Sequence, residues 1–378
     1  MGIKEKTVLN TSVGADVGQS IHNTSINNIT YQDEENKSLE EFRNEIRQSW
    51  LRDTDNSYLE TVTMDELYDT TFDVNLPIIE NVLFPGTYLF AGPSKVGKSF
   101  LMAQLAYHVS TGIPLWGNPV RKGTVLYLAL EDNYARLQQR FYRMFGAEMS
   151  PNLHLATNVR SLGDGFSEQI RSFISNHPDT KLIIIDVLQR IRDLNKDYSY
   201  SSDYDIVSKL KSLTDGSGVA LLIVHHTRKQ QADDIFDMIS GTNGLMGAAD
   251  GAFIISKEKR TGNNATIDVV GRDQADQRFY ITRNPKTLKW ELDRIENELW
   301  IEPPDPLLES VASLLTEDNP KWEGTPTELV NLLGVDMKPN ALTLKLNVST
   351  SRLLKEHSVM FKHSRTHNGR KISLTLIK

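Results

Sequence analysis

Between about residue 75 and residue 300 the chain alternates short, continuous apolar runs with longer stretches of helical periodicity. The runs fall at 88–91, 124–130, 182–186, 220–225, 251–256 and 267–271. Strands that are apolar at every position must be covered on both faces, and strands separated by helices join in parallel. The pattern therefore predicts an α/β domain over 75–301, with a mostly parallel sheet and helices on both faces. Upstream, residues 1–37 lack the periodicity needed to bury a face and are expected to be disordered. Residues 38–74 are expected to be a short helical segment. Ser38 and Glu41 have capping-box spacing, and Leu39, Phe42, Ile46 and Trp50 recur at helical intervals. Such a helix either packs on the following domain or docks on a neighbouring subunit.

Pro303, Pro304 and Pro306 interrupt regular structure, and a smaller unit follows over 307–378. Helices are predicted at 307–315, at 326–333 behind the capping residue Thr325, and at 342–356. Strands at 358–364 and 371–377 are joined through Asn368-Gly369, a hairpin dipeptide. Three helices followed by a hairpin make a winged-helix-like domain.

Length and charge narrow the picture. The chain has 378 residues, enough for about two cores, and a formal net charge of -7. Bulk charge does not favour coating nucleic acid, so contact with it would need local basic patches. The absence of cysteine excludes disulfides and thiolate-held metals and fits a cytoplasmic location. No apolar run is long enough to span a membrane. The two glycosylation-type triplets, at Asn23 and Asn28, are read as chance.

The chemistry is concentrated in three places. Gly92-Pro93-Ser94-Lys95-Val96-Gly97-Lys98-Ser99 is a full phosphate-loop pattern, set between a predicted strand and a predicted helix that opens with Phe100. Its glycines let backbone N–H groups curl around the phosphates of ATP, and the helix N-terminus adds positive potential. Lys98 would neutralise phosphate charge and the Ser99 hydroxyl would bind Mg²⁺. Asp186 closes a run of four apolar residues, at the strand end that faces the ligand crevice of a parallel sheet, and would join Ser99 at the metal. Glu131 and Asp132 follow the run at 124–130. One of them could cap the helix beginning near Tyr134, a task that suits Asp132 better. That leaves Glu131 as the carboxylate to activate water.

As a set, these elements resemble the RecA-like ATPases. More narrowly, they resemble the hexameric RepA helicase family of plasmids and phages, relatives of the DnaB replicative helicases. The match covers roughly 75–290. It rests on residues 92–99, on 127–132 with Arg136 and Arg140, on 182–186, on 225–229 and on 240–250. The resemblance implies a RecA-like fold and a homo-oligomer of hexameric form, with single-stranded DNA in the channel. It also implies roles: Glu131 as the catalytic glutamate, His226 as a polar sensor of the γ-phosphate, Arg272 as an arginine finger entering the neighbouring subunit's site. For His226 the alternative is a partly buried histidine satisfied by backbone. For Arg272 it is a surface arginine paired with Asp273 or Asp276. Segments 193–203 and 229–247 fall where the family has its channel loops. Arg228, Lys229 and Lys196 are the phosphate-contact candidates there, with backbone N–H groups of Gly241 and Gly244.

Residues 351–378 reverse the acidic balance, with Arg352, Lys355, Lys362, Arg365, Arg370, Lys371 and Lys378 against Glu356. A winged helix so charged either contacts duplex DNA, with Lys362, Arg365, Arg370 and Lys371 on the wing, or binds protein. The expected function is an ATP-hydrolysing, ring-forming DNA helicase or translocase for phage, plasmid or mobile-element replication. The alternatives are an ATPase that remodels a replication or recombination complex without unwinding, and an ATP-switched DNA-binding regulator.

Overall fold

A computed structural model describes residues 57, 59, 61–70, 76–192, 200–228, 235–239, 243–257, 259, 262–272, 276–297, 303–366 and 369–377. The expectations for residues 1–37 and for the helix near 38–50 lie outside them. The chain divides into two units, Met1–Thr70 and Thr71–Lys378. In the first, helix α1 (Met64–Asp69) starts on a capping box, with Thr63 accepting from the Glu66 N–H and the Glu66 carboxylate accepting from the Thr63 N–H.

The second unit is built on a nine-stranded sheet. Its members in chain order are β1 (Gly86–Gly92), β2 (Thr124–Ala129), β3 (Leu153–Ala156), β4 (Thr180–Asp186), β5 (Ala220–His226), β6 (Gly251–Ser256), β7 (Asn264–Gly271), β8 (Gln277–Arg283) and β9 (Trp290–Asn297). The spatial order is β3-β2-β4-β5-β1-β6-β7-β8-β9, with β3 and β9 at the two edges. From β3 to β6 every pairing is parallel, and from β6 to β9 every pairing is antiparallel.

The parallel strands are buried almost throughout, as their continuous apolar runs require, and β1 divides its side chains between two cores. Tyr88 and Phe90 face a cluster with Leu101, Met102 and Leu105 of α2 (Lys98–Thr111) and Leu137 of α3 (Tyr134–Phe145). Leu89 and Ala91 face a cluster with Phe166 and Ile170 of α4 (Phe166–Asn176), Val207 and Leu210 of α5 (Tyr200–Lys211) and Leu245 of α6 (Asn243–Ala248). β8 and β9 escape the apolar pattern because they alternate with charged residues. β3 escapes it because it is short and only half-buried. The segments predicted as channel loops are partly helical: 200–203 opens α5, Ile235–Met238 is a single helical turn and 243–247 lies in α6. Lys196, Lys229 and Gly241 lie outside the described residues.

After Pro303 come α7 (Pro306–Ser313), strand β10 (Lys321–Gly324), α8 (Pro326–Leu333), α9 (Pro339–Val348), α10 (Thr350–His357) and strands β11 (Val359–Thr366) and β12 (Gly369–Leu376). The three strands form a separate antiparallel sheet in the order β10-β12-β11, over a core that includes Leu308, Leu329, Leu346 and Phe361. The proline-rich junction ends as a helix start, since the Asp305 carboxylate accepts from the Leu307 N–H at 3.1 Å. The single helix expected at 342–356 is two helices that break at Ser349. Thr350 explains the break: its hydroxyl donates back to the Leu346 and Asn347 carbonyls at 3.1 and 2.8 Å, competing with the helical ladder. The hairpin register runs from Val359↔Leu376 to Thr366↔Gly369. Asn368 itself lies outside the described residues.

Candidate functional site

Strand register assembles the site. β1 and β5 pair in register up to Gly92↔His226, and β2 pairs with β4 up to Ala129↔Asp186. The C-terminal ends of four parallel strands therefore lie side by side, and the phosphate loop leaves from one of them. Gly92 is held against β6, where a Cβ would come 2.7 Å from the Ile255 carbonyl oxygen. Gly97 is the N-cap of α2 at φ 115, a backbone region that side chains rarely enter. Val96 is buried and anchors the loop, while Pro93, Ser94 and Lys95 are exposed.

Lys98 is only 6% exposed. Its ammonium donates to the Gly92 carbonyl at 2.7 Å and the Pro93 carbonyl at 3.0 Å, and His226 Nδ1 lies 3.2 Å away. Burial pulls its pKa down to about 8, against the opposing pull of Asp186 and Glu131. His226 also lies 3.5 Å from the Ser94 hydroxyl. Burial first, and the Lys98 charge second, lower its pKa and favour the neutral ring, which can accept from Lys98.

Asp186 is 4% exposed. Burial raises its pKa, opposed by hydrogen bonds from Ser99 and Tyr127 and by the charge of Lys98. The Tyr127 hydroxyl donates to Asp186 Oδ2 at 2.9 Å, and burial keeps that phenol protonated. Ser99 and Asp186 thus sit together as hydroxyl and carboxylate, a donor set that fits Mg²⁺ completed by phosphate oxygens and water. Among the described residues no group of three or more His, Asp or Glu side chains is arranged to hold a metal alone.

Neither acid after β2 caps α3. Asn133 does, accepting from the Arg136 N–H at 2.9 Å, while Asp132 is tied to Arg140 at 2.6 Å and Arg136 at 3.1 Å. An Asn one residue nearer the helix reaches the free N–H groups better, and two arginines on the next turns draw Asp132 away. The Glu131 side chain stays exposed, close enough to Lys98 to influence it. Phe100 is flanked by guanidinium groups, Arg140 at 5.0 Å and Arg283 at 4.2 Å from its ring centre. Arg283 had no signal in the sequence, because it ends a strand with no apolar run.

Arg272 is not brought to this site. It follows Gly271, which pairs with Gly251, and Gly251 pairs with Tyr88 near the start of β1. The residue therefore lies at the opposite end of the parallel strands. Its guanidinium donates to the Gly247 carbonyl at 3.1 Å and its N–H to the Asp250 carbonyl at 2.8 Å. Asp250 in turn accepts from the Thr87 N–H at 2.9 Å and pairs with Lys211. Arg228 is exposed, and its N–H reaches the Met238 carbonyl at 2.6 Å across the base of the segment 229–237.

The basic residues that follow Pro303 are largely engaged. Lys371 pairs with Glu323 at 2.6 Å, Arg370 donates to the Asn340 side chain at 3.0 Å and Arg352 pairs with Glu356 at 2.8 Å. Glu323 arrives on β10, some fifty residues back in sequence, so a local count of charges overlooks it. Lys362 is exposed on β11, and Arg365 is described only as backbone of that strand.

A family profile described as an AAA domain matches residues 54–232. That stretch is a little under half of the chain, and it is similar to AAA domains. The sheet it enters is mostly parallel and lies between two helical layers. A solved structure of a DnaB-like replicative helicase, described with its interactions with primase, aligns at 13% identity and a TM-score of 0.45. The alignment covers 54% of this chain and 58% of that helicase, so the chain spans a little over half of its length. No curated protein matches the sequence. No helix among the described residues is long and apolar enough to cross a membrane.

Proposed function

We propose that this protein is an ATP-hydrolysing, ring-forming DNA helicase or translocase that acts in the cytoplasm in replication of a phage, plasmid or other mobile element. The observation that carries the reading is the meeting of Lys98, Ser99, Asp186, Glu131 and His226 around one strand edge. The loop 92–99 presents backbone N–H groups and Lys98 to the phosphates of ATP, with Phe100 and its two arginines beside them. Ser99 and Asp186 would hold Mg²⁺, which when bound would neutralise charge on the phosphates and the leaving group. Glu131, free of capping duty, orients the attacking water and accepts its proton. His226, in contact with Lys98 and Ser94, changes partners when the γ-phosphate leaves and carries that change into β5.

Arg272 cannot serve the site of its own chain. The strand from Tyr88 to Gly92 separates them by roughly 13 Å. An arginine offered on the far edge suits a neighbouring subunit, which is the reason to infer a homo-oligomer, of hexameric form, whose hydrolysis needs assembly. Arg228 and Lys229 at the channel segment, and Lys362, Arg365, Arg370 and Lys371 on the small sheet, are the DNA contacts in this reading. Single-stranded DNA would occupy the channel, with duplex at the C-terminal unit.

Native mass measurement with ATP and single-stranded DNA, paired with separation of a forked duplex, tests it. A closed ring that separates strands in an ATP-dependent manner is the expected result. DNA-stimulated hydrolysis without separation favours a remodelling ATPase, and sequence-specific duplex binding with negligible turnover favours an ATP-switched regulator.

A further inference from the structure

The phosphate loop is braced by a residue far away in sequence. Trp290, the first residue of β9, has 0% exposure. Its ring lies against Gly97, where an added Cβ would stand 2.8 Å from a ring carbon, and its indole N–H donates to the Gly97 carbonyl at 3.3 Å. That same carbonyl starts the helical ladder of α2, accepting from the N–H groups of Phe100 and Leu101 at 3.2 and 3.3 Å. The indole therefore touches the peptide that sets the direction of the Lys98 and Ser99 N–H groups.

Trp290 is itself fixed from both sides. The Gln104 side chain, 3% exposed and two turns into α2, donates to the Trp290 carbonyl at 2.9 Å and accepts from its N–H at 2.8 Å. The Trp116 indole donates to the same carbonyl at 2.8 Å. Satisfying both backbone groups of an edge-strand residue with one buried amide is specific. A Leu at position 104 would leave the Trp290 N–H unpaired in the core, and a Glu would set a carboxylate against the Trp290 carbonyl. The partner of Trp290 across the β8–β9 hairpin is Arg283, the cation stacked over Phe100. The hairpin tip is tied to α3 as well, where Arg143 donates to the Pro285 and Lys286 carbonyls at 3.1 and 3.0 Å.

We infer that the β8–β9 hairpin is a bracket for the nucleotide site, with Trp290 as the positioning residue that holds Gly97 and Gln104 as its clamp. One hairpin thus grips the first turn of α2 at Gly97 and Phe100 and the helix that follows the Glu131 loop. It fixes the spacing between the phosphate loop and the carboxylate side of the site. The inference rests on the nucleotide reading given above.

Titration of full-length protein with MgADP separates the two. Wild type that does not bind MgADP overturns the nucleotide reading, and this inference with it. If wild type binds, Trp290→Leu is expected to weaken MgADP by about tenfold or more, and Trp290→Phe, which keeps a ring against Gly97, to recover most of it. Phe166→Leu is the control: it opens the core on the other face of the sheet, away from the hairpin, and should lower Tm without changing the affinity. Trp290→Leu binding as tightly as wild type, or losing no more affinity than Phe166→Leu at a matched fall in Tm, overturns the bracket. Where Trp290→Leu does not fold, wild type labelled with 5-fluorotryptophan gives the answer. The ¹⁹F resonance assigned by its loss in Trp290→Phe should shift on adding MgADP, and a resonance that stays in place overturns the inference.

Discussion

The parallel and antiparallel halves of the large sheet do different work. Strands β3 to β6 bring chemistry to one edge, because parallel strands all end on the same side and their loops emerge together. Strands β7 to β9 run back and forth and cannot gather loops in that way. They carry Arg272 at one end, and at the other Arg283 and Trp290, which press on the phosphate loop. In the proposed reading, the first half holds groups that would meet ATP, and the second holds groups that would make that meeting productive. Substitutions should divide accordingly, into those that remove chemistry and those that remove its support or its partner in trans.

The largest effect is expected at Arg272. Arg272→Ala should leave ATP binding near normal and lower hydrolysis by roughly 10³–10⁵, the range seen when a transition-state arginine is lost. Mixing it with Lys98→Ala sharpens the comparison, since a mixed assembly can unite one intact loop with one intact arginine. Partial return of ATPase activity locates the arginine across an interface, and no return in assemblies confirmed by mass makes it structural. Next, Glu131→Gln should bind ATP normally and lose about 10²–10⁴ of kcat. Turnover within a few-fold of wild type would move the base elsewhere. Lys98→Ala should weaken MgATP by about ten- to hundred-fold, as expected for a lost charge-assisted contact, and unchanged affinity by calorimetry would remove the loop from consideration.

A smaller effect is expected from pH. Folding depresses the Lys98 pKa from the ordinary lysine value of 10.5 to about 8. Its charged form is therefore disfavoured in the fold. That penalty is fully present below pH 8 and disappears as pH rises toward 10.5. The stability of wild type relative to Lys98→Met should rise across this window in denaturant melts, and a flat difference contradicts the buried charge. ATP reverses the preference, because phosphate anions favour the ammonium. Binding should take up protons above pH 8, visible as buffer-dependent heats. The smallest effect is reserved for Tyr127→Phe, which removes one donor from Asp186 and should cost about 1–3 kcal/mol of stability with modest change in hydrolysis.

The same division explains what could be read from sequence. The phosphate loop and Asp186 were legible because each sits at the end of a fully apolar strand, and burial on two faces leaves an unbroken mark. Tyr127 was visible only as part of an apolar run, since nothing local says that its hydroxyl points at Asp186. β8 and β9 were illegible because Gln277, Arg278, Glu291 and Asp293 interrupt them, and an antiparallel strand with one wet face needs no continuous apolar run. Trp290 and Arg283 went unread with them. The cap of α3 passed to Asn133, and the pairing of Lys371 with Glu323 escaped a count of nearby charges. In both cases the outcome turns on a partner's position in space and not on residue type.

The two edges of the large sheet constrain how copies of this chain can associate. β3 offers a strand of only four residues, and β9 presents Glu291, Asp293, Arg294 and Glu296 along its length. Neither is an inviting template for another strand, since short or charged edges resist continuation of the ladder. In the proposed assembly, subunits would therefore not meet by extending this sheet, and its joints would be made by side chains rather than by shared backbone hydrogen bonds. Joints of that kind would let subunits slide or tilt by small steps while each large sheet keeps its own ladder intact.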